Sequence, residues 1–124
     1  MDWHVFKLTL GAKGKWYEHV LYMFQGNQDG AYPMGGVVRD TAGNLYGTTV
    51  AGINTHGGVG QLFKLVRHSR GGWSKLVLHY FEGPPRDGGD SPAPVVFDAA
   101  GNLYGTAYDA WDTGCCGVVF EYIK

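Results

Sequence analysis

Apolar residues in this 124-residue chain fall in short runs broken by glycine-rich turns, the pattern of half-buried strands rather than of helices. Val5-Phe6-Lys7-Leu8, Leu62-Phe63-Lys64-Leu65 and Val119-Phe120-Glu121-Tyr122 are three versions of one such run, 57 residues apart (63 − 6 and 120 − 63). Trp16 and Trp73 follow the first two at the same offset. A second apolar run, Leu21 to Gly26, returns as Leu78 to Gly83, and Asp29-Gly30, Pro33 and Val37-Val38 return as Asp87-Gly88, Pro92 and Val95-Val96. The longest shared stretch is DTAGNLYGTTV from Asp40 to Val50, which comes back as DAAGNLYGTAY from Asp98 to Tyr108, 58 residues on (102 − 44).

One unit therefore predicts four strands: a Val-Val strand, an Asn-Leu-Tyr-Gly-Thr strand, a Phe-Lys-Leu strand and a longer strand opening near the tryptophan. Along the chain this gives a partial unit over 1–26, a repeat unit over 27–83 and an incomplete unit over 84–124. The total is two four-stranded units plus one extra strand. No stretch holds helical spacing for more than about two turns. The expected fold is all-β, a propeller-like repeat, because a glycine- and aromatic-rich unit of this length is the mark of a stacked β blade. The 21 glycines and the 15% of aromatic residues agree, since glycine disfavours helix interiors and aromatics suit strands.

The turns account for the constancy of AGNLYGT. Asp40 can hold backbone donors of its turn while Gly43 supplies a positive φ for a short hairpin loop. Gly47 and Gly105 lie inside the following strand, where a missing side chain predicts a bulge or the close approach of a neighbouring blade.

The order VFKL, tryptophan, LYxF-like strand, DG, proline, AGNLYGT and GxVFEL resembles the tandem repeat of long, extracellular bacterial proteins of the choice-of-anchor type, the Gloeobacter and Verrucomicrobia repeat. The resemblance covers nearly the whole chain. It implies a propeller-like repeat protein at a cell surface or outside the cell, with no catalytic residues established for the repeat. Family members carry many units where this chain carries about two.

Two blades leave two apolar faces and two sheet edges to be covered. The expectation is a homo-oligomer, a dimer or trimer whose blades close a ring of the usual four to eight. The alternatives are a fragment of a longer chain, or terminal strands that close on each other as a sandwich or small barrel.

Net charge of −1 and a pI near 6.5 give no electrostatic footprint for nucleic acid, and lysines and arginines are spread singly. No apolar run reaches membrane-spanning length, and the N-terminus lacks signal-peptide order. Without a signal peptide the chain is read either as cytosolic or as a mature piece of a secreted protein; the resemblance and the adjacent cysteines favour an extracellular or cell-surface location.

Candidate chemistry is sparse. No cofactor is implied, and the five histidines neither repeat between units nor cluster for a metal. Only His56, in the glycine-rich loop Gly52 to Gly58, is placed near a binding surface. Cys115 and Cys116 are adjacent; they can form a vicinal or intersubunit disulfide in an oxidising compartment, or stay as two buried thiols or a redox pair. The resemblance bears on this choice, since related repeats often place cysteines in this loop.

Repeat-equivalent acids, Asp29 with Asp87 and Asp40 with Asp98, read as turn chemistry. Among the others, Asp109 and Asp112 flank Trp111 directly after Tyr108. An indole there could stack on a sugar ring while the carboxylates accept hydrogen bonds from its hydroxyls. Three functions follow: a non-catalytic carbohydrate-binding or surface-interaction module using Trp111, Asp109, Asp112, Tyr108 and His56; a small glycoside hydrolase using a carboxylate pair drawn from Asp109, Asp112 and Glu82, one of them held protonated; or a structural tile of a filament or layer.

Overall fold

The computed structural model describes residues 2–52, 59–83, 87–108 and 117–124. Within them the chain is all-β, with nine strands in three small antiparallel sheets. Strand β1 (Trp3–Leu10) pairs with β2 (Trp16–Phe24). Strands β3 (Val37–Arg39), β4 (Leu45–Thr49), β5 (Gln61–Arg67) and β6 (Trp73–Tyr80) form a four-stranded meander in chain order. Strands β7 (Val96–Phe97), β8 (Leu103–Ala107) and β9 (Val118–Tyr122) form the third sheet. By the sequence repeat, β1, β5 and β9 are one strand of the unit, β2 and β6 another. The middle sheet is thus a complete blade, the first sheet holds the last two strands of a unit and the third sheet the first three.

The expected alternative of terminal strands closing on each other is not what forms. Among the described residues β1 pairs only with β2 and β9 only with β8. The reason is local: every strand pairing joins strands adjacent in the chain, four of the six through five-residue connections, so each sheet is completed before distant edges can meet.

The shared hairpin works as its sequence suggests. Asp40 accepts hydrogen bonds from the Asn44 amide N–H at 2.8 Å, the Asn44 side-chain amide at 3.1 Å and the Tyr46 hydroxyl at 3.1 Å, while Gly43 takes φ 88°. Asp98 repeats this with Asn102 and Tyr104, and Gly101 also has φ 88°. Burial pushes the Asp40 carboxyl up, but the donors of its turn outweigh that and hold it below the ordinary value; at Asp98 the Asn102 donors dominate with the same result.

Gly47 and Gly105 mark neither a bulge nor an approaching blade. Gly47 lies directly across from Phe63 on β5, and the Phe63 ring comes within 2.9 Å of where a Cβ would sit, with the Gly36 carbonyl at the same distance. Gly105 is covered in the same way by Phe120 of its own sheet. The ring of the cross-strand partner fills the space that the glycine leaves. Irregularities in pairing fall instead between Val5 and Phe6 and between Leu62 and Phe63.

Two buried clusters join the sheets. Val5 and Phe24 of the first sheet meet Leu45, Phe63 and Leu65 of the second. Leu62, Tyr46 and Phe81, from the other side of the second sheet and the segment after it, meet Val95 and Leu103 of the third. Edge-on ring pairs Phe24–Phe63 at 5.2 Å and Phe81–Phe120 at 5.1 Å hold repeat-equivalent places. Consecutive Leu62 and Phe63 enter different clusters because side chains alternate across a strand. Each large side chain so buried contributes about 2 to 3 kcal/mol.

Candidate functional site

Between the first and second sheets the apolar cluster is bordered by a polar node. The Lys75 ammonium, on β6, lies 2.7 Å from the Asp29 carboxylate and 3.0 Å from Gln61 Oε1, and it also donates to the Asp29 backbone carbonyl. Its side chain is only 6% exposed against 20% for Asp29. Asp29 also accepts from the Tyr22 hydroxyl and the Gln25 N–H, both at 2.7 Å. Gln61 completes the node by donating to the Gln28 carbonyl. Burial raises the Asp29 carboxyl, yet Lys75, Tyr22 and Gln25 together hold it below its ordinary value. Burial draws Lys75 down more than Asp29 lifts it, and burial followed by the Asp29 bond raises Tyr22. Asp29 therefore does more than the turn chemistry its repetition suggested.

The equivalent place between the second and third sheets is built differently. His79 and Asp87 stand where Tyr22 and Asp29 do, 2.6 Å apart, and Val118 replaces Gln61. The space that β6 and Lys75 fill in the first interface is here a groove of about 300 Å³ beside β9, lined by Leu62, His79, Phe81, Asp87, Phe120 and Tyr122.

The outer faces of the first and third sheets carry the most informative side chains. Phe6 and Leu8 are 50% and 51% exposed, whereas their repeat equivalents Phe63 and Leu65 are 0% exposed. Trp16 is exposed while Trp73 packs against the core. On the other outer face Val119 is 76% exposed, against 1% for its equivalent Leu62, and Val96 is exposed where Val38 packs against a cluster. Both outer faces thus display residues whose counterparts build the internal interfaces. On the same outer face Tyr104 donates at 2.6 Å to Glu121, which with burial and Asp98 pushes its hydroxyl up to about 12.

Of the residues singled out from the sequence, His56, Asp109, Trp111, Asp112, Cys115 and Cys116 lie outside the described residues. Tyr108 is exposed at the end of β8, and its N–H donates to the Asp90 carbonyl at 3.1 Å. The Asp90 N–H in turn donates to the Val59 carbonyl at 2.9 Å, so Tyr108 and Val59 are tied through one residue. Glu82 is half-buried, and its N–H donates to Asp87 at 2.7 Å. Among the described residues no three His, Cys, Asp or Glu side chains gather as a metal would require, and no helix is long and apolar enough to cross a membrane.

Sequence reading missed the Lys75 node. Its one available signal was that polar residues recur at the repeat-equivalent positions Glu18 and His4, which in the structure also pair, at 3.1 Å. Comparison of this chain with protein-family models, with curated proteins and with solved structures finds no match, so its blades and their exposed faces carry the functional reading.

Proposed function

We propose that this chain is a surface-interaction module of propeller-blade type that associates with further copies of itself through its outer blade faces. The observation that carries this is the contrast between exposed Phe6, Leu8 and Val119 and their buried equivalents Phe63, Leu65 and Leu62. The face bearing Phe6, Leu8 and Trp16 corresponds to the side of the second sheet that packs on the first. The face bearing Val96, Tyr104 and Val119 corresponds to the side that packs on the third. The two outer faces are therefore matched to each other, which makes a head-to-tail contact between copies. Large apolar residues exposed together on a face whose counterpart is buried point to an interaction site.

An extracellular setting and a glycan ligand belong to the proposal, on the strength of the repeat resemblance and of Tyr108, which is exposed and directly precedes Asp109, Trp111 and Asp112 in sequence. The test is light scattering over a range of concentrations on the wild type, Leu8→Glu and Val119→Glu. Both substitutions fall on exposed positions and are expected to leave the fold intact by circular dichroism while abolishing association. A wild type that stays monomeric at high concentration, or variants that associate equally well, would refute the reading. Trp111→Ala on a panel of immobilised glycans tests the loop separately.

A further inference from the structure

Three of the ten lysines and arginines, scattered in sequence, are brought to one place by the fold. A groove of about 450 Å³ opens between the first sheet and one end of the second, lined among others by Lys7, Leu21, Arg39, Gly43, Arg67 and Trp73. Arg39 ends β3, Gly43 lies in the turn into β4, Arg67 ends β5 and pairs across to Trp73 at the start of β6, so all four stand at the same end of the sheet. The Arg39 guanidinium and the Arg67 stem both come within 4 Å of the point where a Cβ on Gly43 would lie, at 3.6 and 3.9 Å. Among the described residues none of Lys7, Arg39 and Arg67 has a carboxylate within ion-pair distance. Among the described residues no acidic side chain lines the groove.

This set is not imposed by the repeat. At the equivalent place in the other interface Arg39 becomes Phe97, whose ring packs edge-on against Tyr46 at 5.1 Å, and Lys64, the equivalent of Lys7, lies 5.3 Å above the same tyrosine. There the space is filled by aromatic packing; here arginine takes the position and three cations surround an opening with an indole in its wall.

We propose that this groove binds an anionic glycan, a short saccharide bearing carboxylate or sulfate groups. Guanidinium pairs recognise such groups through paired, charge-assisted hydrogen bonds, and an indole offers a face to a sugar ring. The volume lies in the range of small-ligand sites. The chain carries a net charge of −1, so the positive charge is local, which suits a short ligand over a long polyanion. The site lies within one chain and needs no partner copy; it rests on the glycan reading above and narrows it to a charged class, carried by residues other than Trp111 and its acidic neighbours.

The experiment is isothermal titration of the intact chain with three probes: trigalacturonate, its fully methyl-esterified neutral counterpart, and a sulfated dextran oligomer. Binding of trigalacturonate or the sulfated oligomer, weakening with salt and absent for the ester, is the expected result; which of the two binds tells carboxylate from sulfate. Arg39→Gln and Arg67→Gln, both at exposed positions, should each weaken it roughly tenfold. Arg39→Lys should recover part of that loss.

Equal binding of the ester, or no binding of either anionic probe, would overturn the proposal. If neutral glycans bind and only Trp111→Ala abolishes it, the glycan reading stands and this site falls. A single-stranded oligonucleotide bound as tightly, with the same dependence on Arg39 and Arg67, would make the groove a general polyanion site and overturn the assignment. Light scattering on Arg39→Gln distinguishes a further case: a changed association state with unchanged titration would show that a second copy occupies the groove and would overturn the proposal.

Discussion

Replacing Lys75 by methionine tests whether the polar node holds the first two sheets together. Methionine keeps most of the stem that packs over Phe24, whose ring centre lies 5.3 Å from the ammonium. What is lost is the charge-assisted contact to Asp29 and the bond to Gln61. Removing one partner of a fully buried pair costs about 3 to 5 kcal/mol, chiefly because the other charge is stranded. Asp29 is less stranded than that, since it keeps Tyr22 and Gln25 and a fifth of its side chain remains exposed. The expected loss is therefore about 2 to 3 kcal/mol. Adding Asp29→Asn removes the stranded charge, so the double variant should be more stable than the sum of the single losses by about 1.5 kcal/mol. Urea titration followed by tryptophan fluorescence measures all three variants. A Lys75→Met loss under about 0.5 kcal/mol, or strict additivity in the cycle, would refute the idea that the pair stabilises this interface.

Two more outcomes follow from the same geometry. Because Asp29 has its folded value lowered from 3.8, its contribution is fully present above that value and disappears as pH falls through the folded one; acid unfolding from pH 5 downward should be shallower in Asp29→Asn than in the wild type, by urea midpoints at each pH. Gly47→Ala should cost about 2 kcal/mol, since the new Cβ meets the fully buried Phe63 ring on one side and the Gly36 backbone on the other, whereas Gly105→Ala should cost less because the half-buried Phe120 can swing aside; thermal melts compare the two.

The strands and hairpins were legible because their causes are local. Asp40, Gly43 and Asn44 make their turn within five residues, and the Leu-Phe-Lys-Leu run declares its alternation directly. The role of Gly47 was not, because it depends on which residue stands opposite, and Phe63 comes there only through the pairing of β4 with β5. Nor was Lys75, whose partner Asp29 is 46 residues away in sequence. The basic groove draws Lys7, Arg39 and Arg67 from three strands, each an unremarkable single charge until the sheets are laid side by side. Exposure of Phe6, Leu8 and Trp16 was half legible: the repeat identified their counterparts, and only the sheets showed which set was covered.

Nearly identical repeats confront a folding chain with a sorting problem, because an apolar hairpin from one unit can dock where that of the other belongs. The two clusters are close copies and offer little to tell them apart. Lys75 does. Against the first sheet it finds the Asp29 carboxylate, held by the Tyr22 hydroxyl, beside the Gln61 of its own sheet. Docked where this set is not formed, a buried ammonium without a paired carboxylate carries a penalty of several kcal/mol. A residue that contributes modestly to native stability can in this way weigh heavily against misordered blades, and its removal should show first as slow or heterogeneous refolding.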